Sequence, residues 1–166
     1  MNRSYIAGLL GVVGVAASPA LAFAQGTLDG RWLSQDKRAV VEVAPCGKAE
    51  CGKIVWVKDP IDPASGKPRR DKNNSDLGLQ HRPIIGLATL SAIVPNADGN
   101  WDAHSYDPRN GEDHDITVRL LAGGTRIELK GCALGGMICR SEVWSKAPDA
   151  TPADPPPPDP TLQTSN

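Results

Sequence analysis

The stretch that decides the fold reads Ile116-Thr117-Val118-Arg119-Leu120-Leu121-Ala122-Gly123-Gly124-Thr125-Arg126-Ile127-Glu128-Leu129-Lys130. Ile116, Val118 and Leu120 alternate with Thr117 and Arg119, the period-two pattern of a half-buried strand. Gly123-Gly124 can form a two-residue hairpin turn, because glycine tolerates the positive φ angles such a turn demands. That turn places Leu120 opposite Ile127 and Val118 opposite Leu129, apolar against apolar on one face. Arg126, Glu128 and Lys130 then point outward, so turn chemistry and side-chain pattern agree on a single register.

The same construction repeats downstream. A turn at Gly135-Gly136 puts Cys132 opposite Cys139 on the outer face, within disulfide reach, and Trp144 opposite Ile127 on the inner face. It also points Arg140 and Glu142 inward. Unpaired charges on a core face are costly. They therefore pair with each other, line a polar cavity, or are displaced by a bulge at Gly131.

Upstream, Val40, Val41 and Val43 belong to one β-rich run and Ile54-Val55-Trp56-Val57 to the next, separated by the loop Cys46-Gly47-Lys48-Ala49-Glu50-Cys51. Ile84 to Val94 is a third apolar run and Trp101 to Tyr106 a fourth. The turn-rich Pro95-Asn96-Ala97-Asp98-Gly99 joins them. Spacing throughout is that of hairpins, with no helix-bearing crossover. The expectation is an all-β, antiparallel, single-domain barrel or sandwich of about eight strands. A closed barrel of that size has an interior filled by side chains or by one small ligand.

Both ends of the chain read differently from this body. Residues 1–24 have the form of a secretory signal peptide: Arg3 near the start, an apolar stretch from Ile6 to Ala17, and Ala22-Phe23-Ala24 as a cleavage site. The apolar stretch falls short of the ~20 residues a membrane span requires. Cleavage after Ala24 implies a periplasmic or secreted protein with no transmembrane segment left, its β-domain at 25–146. Residues 147–166 hold Pro148, Pro152, Pro155, Pro156, Pro157, Pro158 and Pro160 with little to bury, the composition of a disordered tail.

Loss of Arg3 with the leader lowers the 18 Lys and Arg to 17 against 19 Asp and Glu, a formal net charge of −2. A near-neutral chain without a basic stripe argues against a nucleic-acid partner. Four cysteines in an oxidising compartment point to two disulfides, and local geometry favours Cys46–Cys51 and Cys132–Cys139. A zinc site would call for Cys-x-x-Cys spacing, which does not occur.

Taken in order, several pieces resemble a bacterial family of exported proteins known as the domain of unknown function 2147. They are Gly30-Arg31-Trp32, Cys51-Gly52-Lys53-Ile54-Val55-Trp56, Arg82-Pro83-Ile84-Ile85-Gly86-Leu87, Trp101 with Tyr106-Asp107-Pro108-Arg109-Asn110-Gly111, and Gly131-Cys132 with Arg140-Ser141-Glu142-Val143-Trp144. The chain departs from the family pattern at His114, where an aromatic is usual, and at Glu142, where glutamine is usual. The resemblance implies a lipocalin-like barrel and brings no established reaction. Lipocalins carry Gly-x-Trp on the first strand, matched by Gly30 and Trp32, and a basic residue on the last strand stacked over that tryptophan. The resemblance gives this role to Arg140, through a cation–π contact of about 0.5–2 kcal/mol.

Chemistry-bearing constellations are few. His81, His104 and His114 are the only histidines, and no Gly-x-Ser-x-Gly elbow occurs, so a nucleophile–base pair cannot be assembled. The reading is no enzyme and no cofactor. Asp107 to Asp115 is rich in oxygen ligands but lacks calcium-loop spacing. His104 and His114 flank its turn and are a weak metal candidate. Lys58 to Arg82 is too long for a plain connection, and Lys58, Lys67, Arg69, Arg70 and Lys72 make it modestly basic; it could serve as a lid meeting an anionic head group. Two functions follow. One is a carrier of a small apolar or amphipathic ligand, lined by Trp56, Trp101, Ile116, Val118, Leu120, Ile127 and Leu129. Trp32, Trp144, Arg140 and Glu142 complete that site. The other is a non-catalytic envelope structural or interaction module with a packed interior. Oligomeric state is left open.

Overall fold

The computed structural model describes residues 26–148; the expected signal peptide and most of the expected proline-rich tail lie outside the described residues. Eight strands form a closed, all-antiparallel meander: β1 (Gly30–Leu33), β2 (Ala39–Cys46), β3 (Ala49–Val57), β4 (Ala88–Pro95), β5 (Trp101–Asp107), β6 (Glu112–Leu121), β7 (Arg126–Ala133) and β8 (Ile138–Lys146). β8 closes on β1 through Trp32 opposite Lys146 and Leu33 opposite Ser145. Closure removes the free strand edges that would otherwise invite pairing with another chain.

The register read from the sequence holds where a glycine pair defines it. Val118 faces Leu129, Leu120 faces Ile127, Trp144 faces Ile127 and Cys132 faces Cys139. Gly123 adopts φ 64°, ψ 29° and Gly135 φ 65°, ψ 30°, with Gly124 and Gly136 at φ 89° and 90°. These are the mirror-image turn angles that match the twist of the flanking strands. Both cysteine pairs are bonded, Cys46–Cys51 diagonally across the β2–β3 hairpin and Cys132–Cys139 directly across β7–β8. Gly131 pairs with Arg140 without a register shift, so no bulge displaces Arg140 and Glu142.

Inward side chains merge into one core: Leu28, Trp32, Val41, Val43, Ile54, Leu90, Ile93, Trp101, Ala103, Val118, Ile127, Leu129 and Trp144. Three tryptophans thus belong to the core, with Ile116 and Leu120 packed against it. Trp56 does not join them. A bulge between Val40 and Val41 leaves Val55 unpaired, and Trp56 stands half-buried opposite Val40, outside the core.

One end of the barrel is closed by the chain's own entry. Leu28 is buried in the core and accepts a hydrogen bond from Trp32 Nε1 at 2.7 Å. The cation over Trp32 is Lys146, its Nζ 4.3 Å from the ring centre and donating to the Asp29 carbonyl at 2.8 Å. Gly30 makes room for it: a Cβ there would lie 2.8 Å from Lys146 Nζ. The expectation of Arg140 over Trp32 is therefore corrected. Arg140 sits opposite Gly131, near the far end of β8, and is exposed. The folded body also runs one residue further than 146, because Ala147 is buried and donates to the Arg31 carbonyl.

Candidate functional site at the loop-bearing end

The connections β1–β2, β3–β4, β5–β6 and β7–β8 all emerge at the other end, which is the mouth. The longest, residues 58–87, is an ordered structure held by a buried carboxylate. Asp71 is 0% exposed and accepts hydrogen bonds from Tyr106 Oη (2.5 Å), Arg82 Nη2 (2.6 Å) and Asn74 Nδ2 (3.0 Å). A buried charge persists only when it is paired and hydrogen-bonded in this way. Burial, reinforced by the bond to Asp71, pushes the Tyr106 hydroxyl pKa up to about 12. Asp76 caps a short 3-10 turn, Leu77–Leu79, and leaves Leu77 facing solvent.

From this knot the loop reaches the β5–β6 turn. Asn73 Nδ2 donates to the Arg109 carbonyl at 2.7 Å. Gly111, at φ 77°, lies so close to the Asn73 carbonyl that a Cβ there would be 2.0 Å from its oxygen. The Asp107–Gly111 stretch is thus a docking turn.

Arg109 then spans the mouth. Its guanidinium grips Asp107 at 2.8 Å and reaches Asp36 on the β1–β2 turn at 3.4 Å and Glu142 on β8 at 3.9 Å. Burial works to raise the Asp107 pKa, but hydrogen bonds from the Arg109 side chain and N–H outweigh it and hold it below the usual carboxylate range. Asp36 is lowered likewise: burial opposes, and the Ser34 hydroxyl, the Arg38 N–H and the Arg109 charge prevail. Glu142 accepts from Trp144 Nε1 at 3.1 Å, which links this ionic bridge to the core. Glu142 therefore resolves its inward position by pairing with Arg109 and Trp144.

Of the residues expected to form a binding site, Trp32, Trp101 and Trp144 meet in the core. Glu142 joins Trp144 at the mouth, while Trp56 and Arg140 lie apart from them. Sequence reasoning missed Asp71, Tyr106, Arg109 and Lys146 as the residues that organise the two ends. His104 and His114 do not converge. They belong to neighbouring cross-strand pairs, His104 with Asp115 and Ser105 with His114, so they point to opposite faces of the wall. His104 lies between Asp115 (3.1 Å) and Asp113 (3.2 Å), whose hydrogen bonds and charge raise its pKa. Among the described residues no group of three or more His, Cys, Asp or Glu could hold a metal ion, and no helix is long and apolar enough to cross a membrane.

Two hollows of about 470 and 460 Å³ lie against the outer wall. The first follows the cross-strand row Arg31, Glu42 and Lys53, and the second is lined by His104 with its partner Asp115 and by Thr117 with its partner Lys130.

Known proteins place this geometry. A structure described as protein HP1028 from the human pathogen Helicobacter pylori, belonging to the lipocalin family, superimposes with a TM-score of 0.62 at 18% identity; the match covers 74% of this chain and 84% of that one. The likeness concerns the fold alone. No curated protein matches the chain. Two disulfides fit an extracytoplasmic location. A model of proteins conserved in bacteria and described as uncharacterised, DUF2147, matches residues 30–146, the whole barrel, and the chain belongs to that family.

Proposed function

We propose that this is an exported, non-catalytic envelope module whose lipocalin-like barrel is a packed scaffold and whose loop-bearing end meets its partner. One observation carries the reading: all eight strands contribute side chains to a single core around Trp32, Trp101 and Trp144, each no more than 8% exposed. A side-chain-filled interior is one of the two states open to a barrel of eight strands. All four cysteines are bonded, so no thiol among the described residues is free to act as a nucleophile.

A second reading, a carrier of a small amphipathic molecule, draws on the lipocalin-like neighbour and on the chain of contacts from Trp144 through Glu142 to Arg109 toward the mouth. Opening the Arg109 bridge would be its entry step. Native mass spectrometry of protein exported and purified without denaturation separates the two, with tryptophan fluorescence titration against lipids alongside. The scaffold reading expects the apo mass and no quenching. A reproducible extra mass, released on unfolding, would replace it with the carrier.

A further inference from the structure

The mouth end carries an apolar projection that the packed core does not need. The β7–β8 hairpin runs on past its last pairing with β6, at Gly131, to a tip at Leu134-Gly135-Gly136-Met137-Ile138. There Leu134 is 70% exposed, Met137 83% and Ile138 56%. The Cys132–Cys139 bond ties the hairpin at its neck and holds these side chains in place. At the same end, Leu77 and Ile61 stand exposed on the long loop. Large apolar groups gathered on one face of a soluble protein mark a contact surface.

Charge says what the surface contacts. The four connections at this end hold nine Lys and Arg against five Asp and Glu, a formal +4, in a chain whose total is −1. Half of the excess sits on the long loop, with six cations against four carboxylates. Asp71 is sealed under Arg82 and Asp59 is paired with Arg38, whereas Lys67 and Arg70 have no carboxylate partner among the described residues. Arg140 adds a further exposed cation two residues from Ile138. Apolar prongs set among unpaired cations match a bilayer surface with anionic head groups, where burial of apolar side chains and attraction to the surface potential act together.

We propose that the loop-bearing end docks on an anionic lipid surface, with Leu134, Met137 and Ile138 inserted at the head-group level and Lys67, Arg70 and Arg140 over the phosphates. The proposal rests on the packed-module reading, since it gives that module its partner. The test is co-sedimentation of the purified disulfide-bonded protein with vesicles of phosphatidylglycerol and phosphatidylcholine, against vesicles of phosphatidylcholine alone. Binding to the anionic vesicles is expected, weakening as salt rises because the Debye length shrinks. The double variant Leu134→Ser/Met137→Ser is expected to bind at least ~10-fold more weakly, given the apolar area withdrawn. Lys67→Glu/Arg70→Glu is expected to bind at least ~25-fold more weakly, from a roughly fivefold loss for each of the two cations, and to flatten the salt dependence. All four positions are exposed, so the melting temperature should not move, and a melt checks this.

Failure to bind anionic vesicles, or equal binding by the tip variant, overturns the proposal. So does concentration-dependent dimerisation in sedimentation velocity that the tip variant abolishes, which would assign the tip to a second copy. An apo mass without vesicle binding leaves the scaffold standing and removes only its lipid partner; an occupied barrel removes the scaffold itself.

Discussion

Replacing Asp71 by asparagine tests whether the long loop is held by one buried charge. Asp71 accepts from Tyr106, Arg82 and Asn74, and it is fully buried. Asparagine keeps the shape and one acceptor oxygen, so the Tyr106 bond can survive. The new amide, however, turns a donor toward Arg82 or Asn74. The charge-assisted bond to Arg82 is lost, worth about 1.5–3 kcal/mol. Breaking a buried pair costs about 3–5 kcal/mol when the remaining charge is stranded. Arg82 is 37% exposed and can rehydrate, which places the expected cost near the lower figure, about 2–3 kcal/mol. With a urea slope of about 1–3 kcal/mol/M, the midpoint should fall by about 1–2 M if loop and barrel unfold together. If the loop opens first, the loss shows instead as faster hydrogen exchange at the amides of Asp71, Asn74 and Ile84, each bonded within the loop, while β6 and β7 stay protected. Tyr106→Phe should cost about 1–2 kcal/mol, and a double-mutant cycle should show the two changes to be coupled. An Asp71→Asn variant within about 0.5 kcal/mol of the parent and with unchanged loop exchange would refute the latch.

Other expectations follow from the two ends of the barrel. Lys146→Met should cost about 1–2 kcal/mol in urea denaturation, while Arg140→Ala stays within about 0.5; the opposite ranking would restore Arg140 to the role over Trp32. Opening Cys132–Cys139 with the double serine variant should cost about 2 kcal/mol, read from thermal melts. His104 should titrate above 6.5 in an NMR pH series and move back toward 6.5 in Asp115→Asn. Its folded pKa is raised, so its stabilisation is full below pH ~6.5 and fades as pH rises through the folded value. The mouth carboxylates run the other way. Asp107 and Asp36 have lowered pKa values, so their contribution is present above pH ~4 and disappears as acid protonates them; Arg109→Gln should flatten that acid limb of the stability curve.

Legibility tracked how locally each feature is determined. The β6–β7 and β7–β8 registers were readable because Gly123-Gly124 and Gly135-Gly136 set the pairing within a few residues. The second disulfide came with that register. The bulge beside Val40 was invisible, since no glycine or proline marks it, and an undetected bulge sends every later side chain on the strand to the opposite face. Trp56 was assigned to the interior for that reason. The Asp71 knot joins residues 32 and 35 positions apart, and the sequence of a loop carries no period by which its partners could be found.

Lys146 and Arg140 make the same point about barrel closure. Counting from the Gly135-Gly136 turn gives both residues the inward parity of β8, and a basic residue over Trp32 could be either. Parity says which face a side chain takes but not how far along the strand it meets β1. That depends on the shear accumulated around eight strands, including the irregular steps near Val40, Gly52 and Ser91. Each irregular step slides the final pairing, and only the closed structure records the total: Trp32 opposite Lys146. Arg140 is left six residues up the strand, at the end where the cations and the exposed apolar tip are found. The displacement that removes Arg140 from the closed end is therefore the same one that supplies the mouth with a charge, and the two barrel ends acquire their different chemistry from a single register.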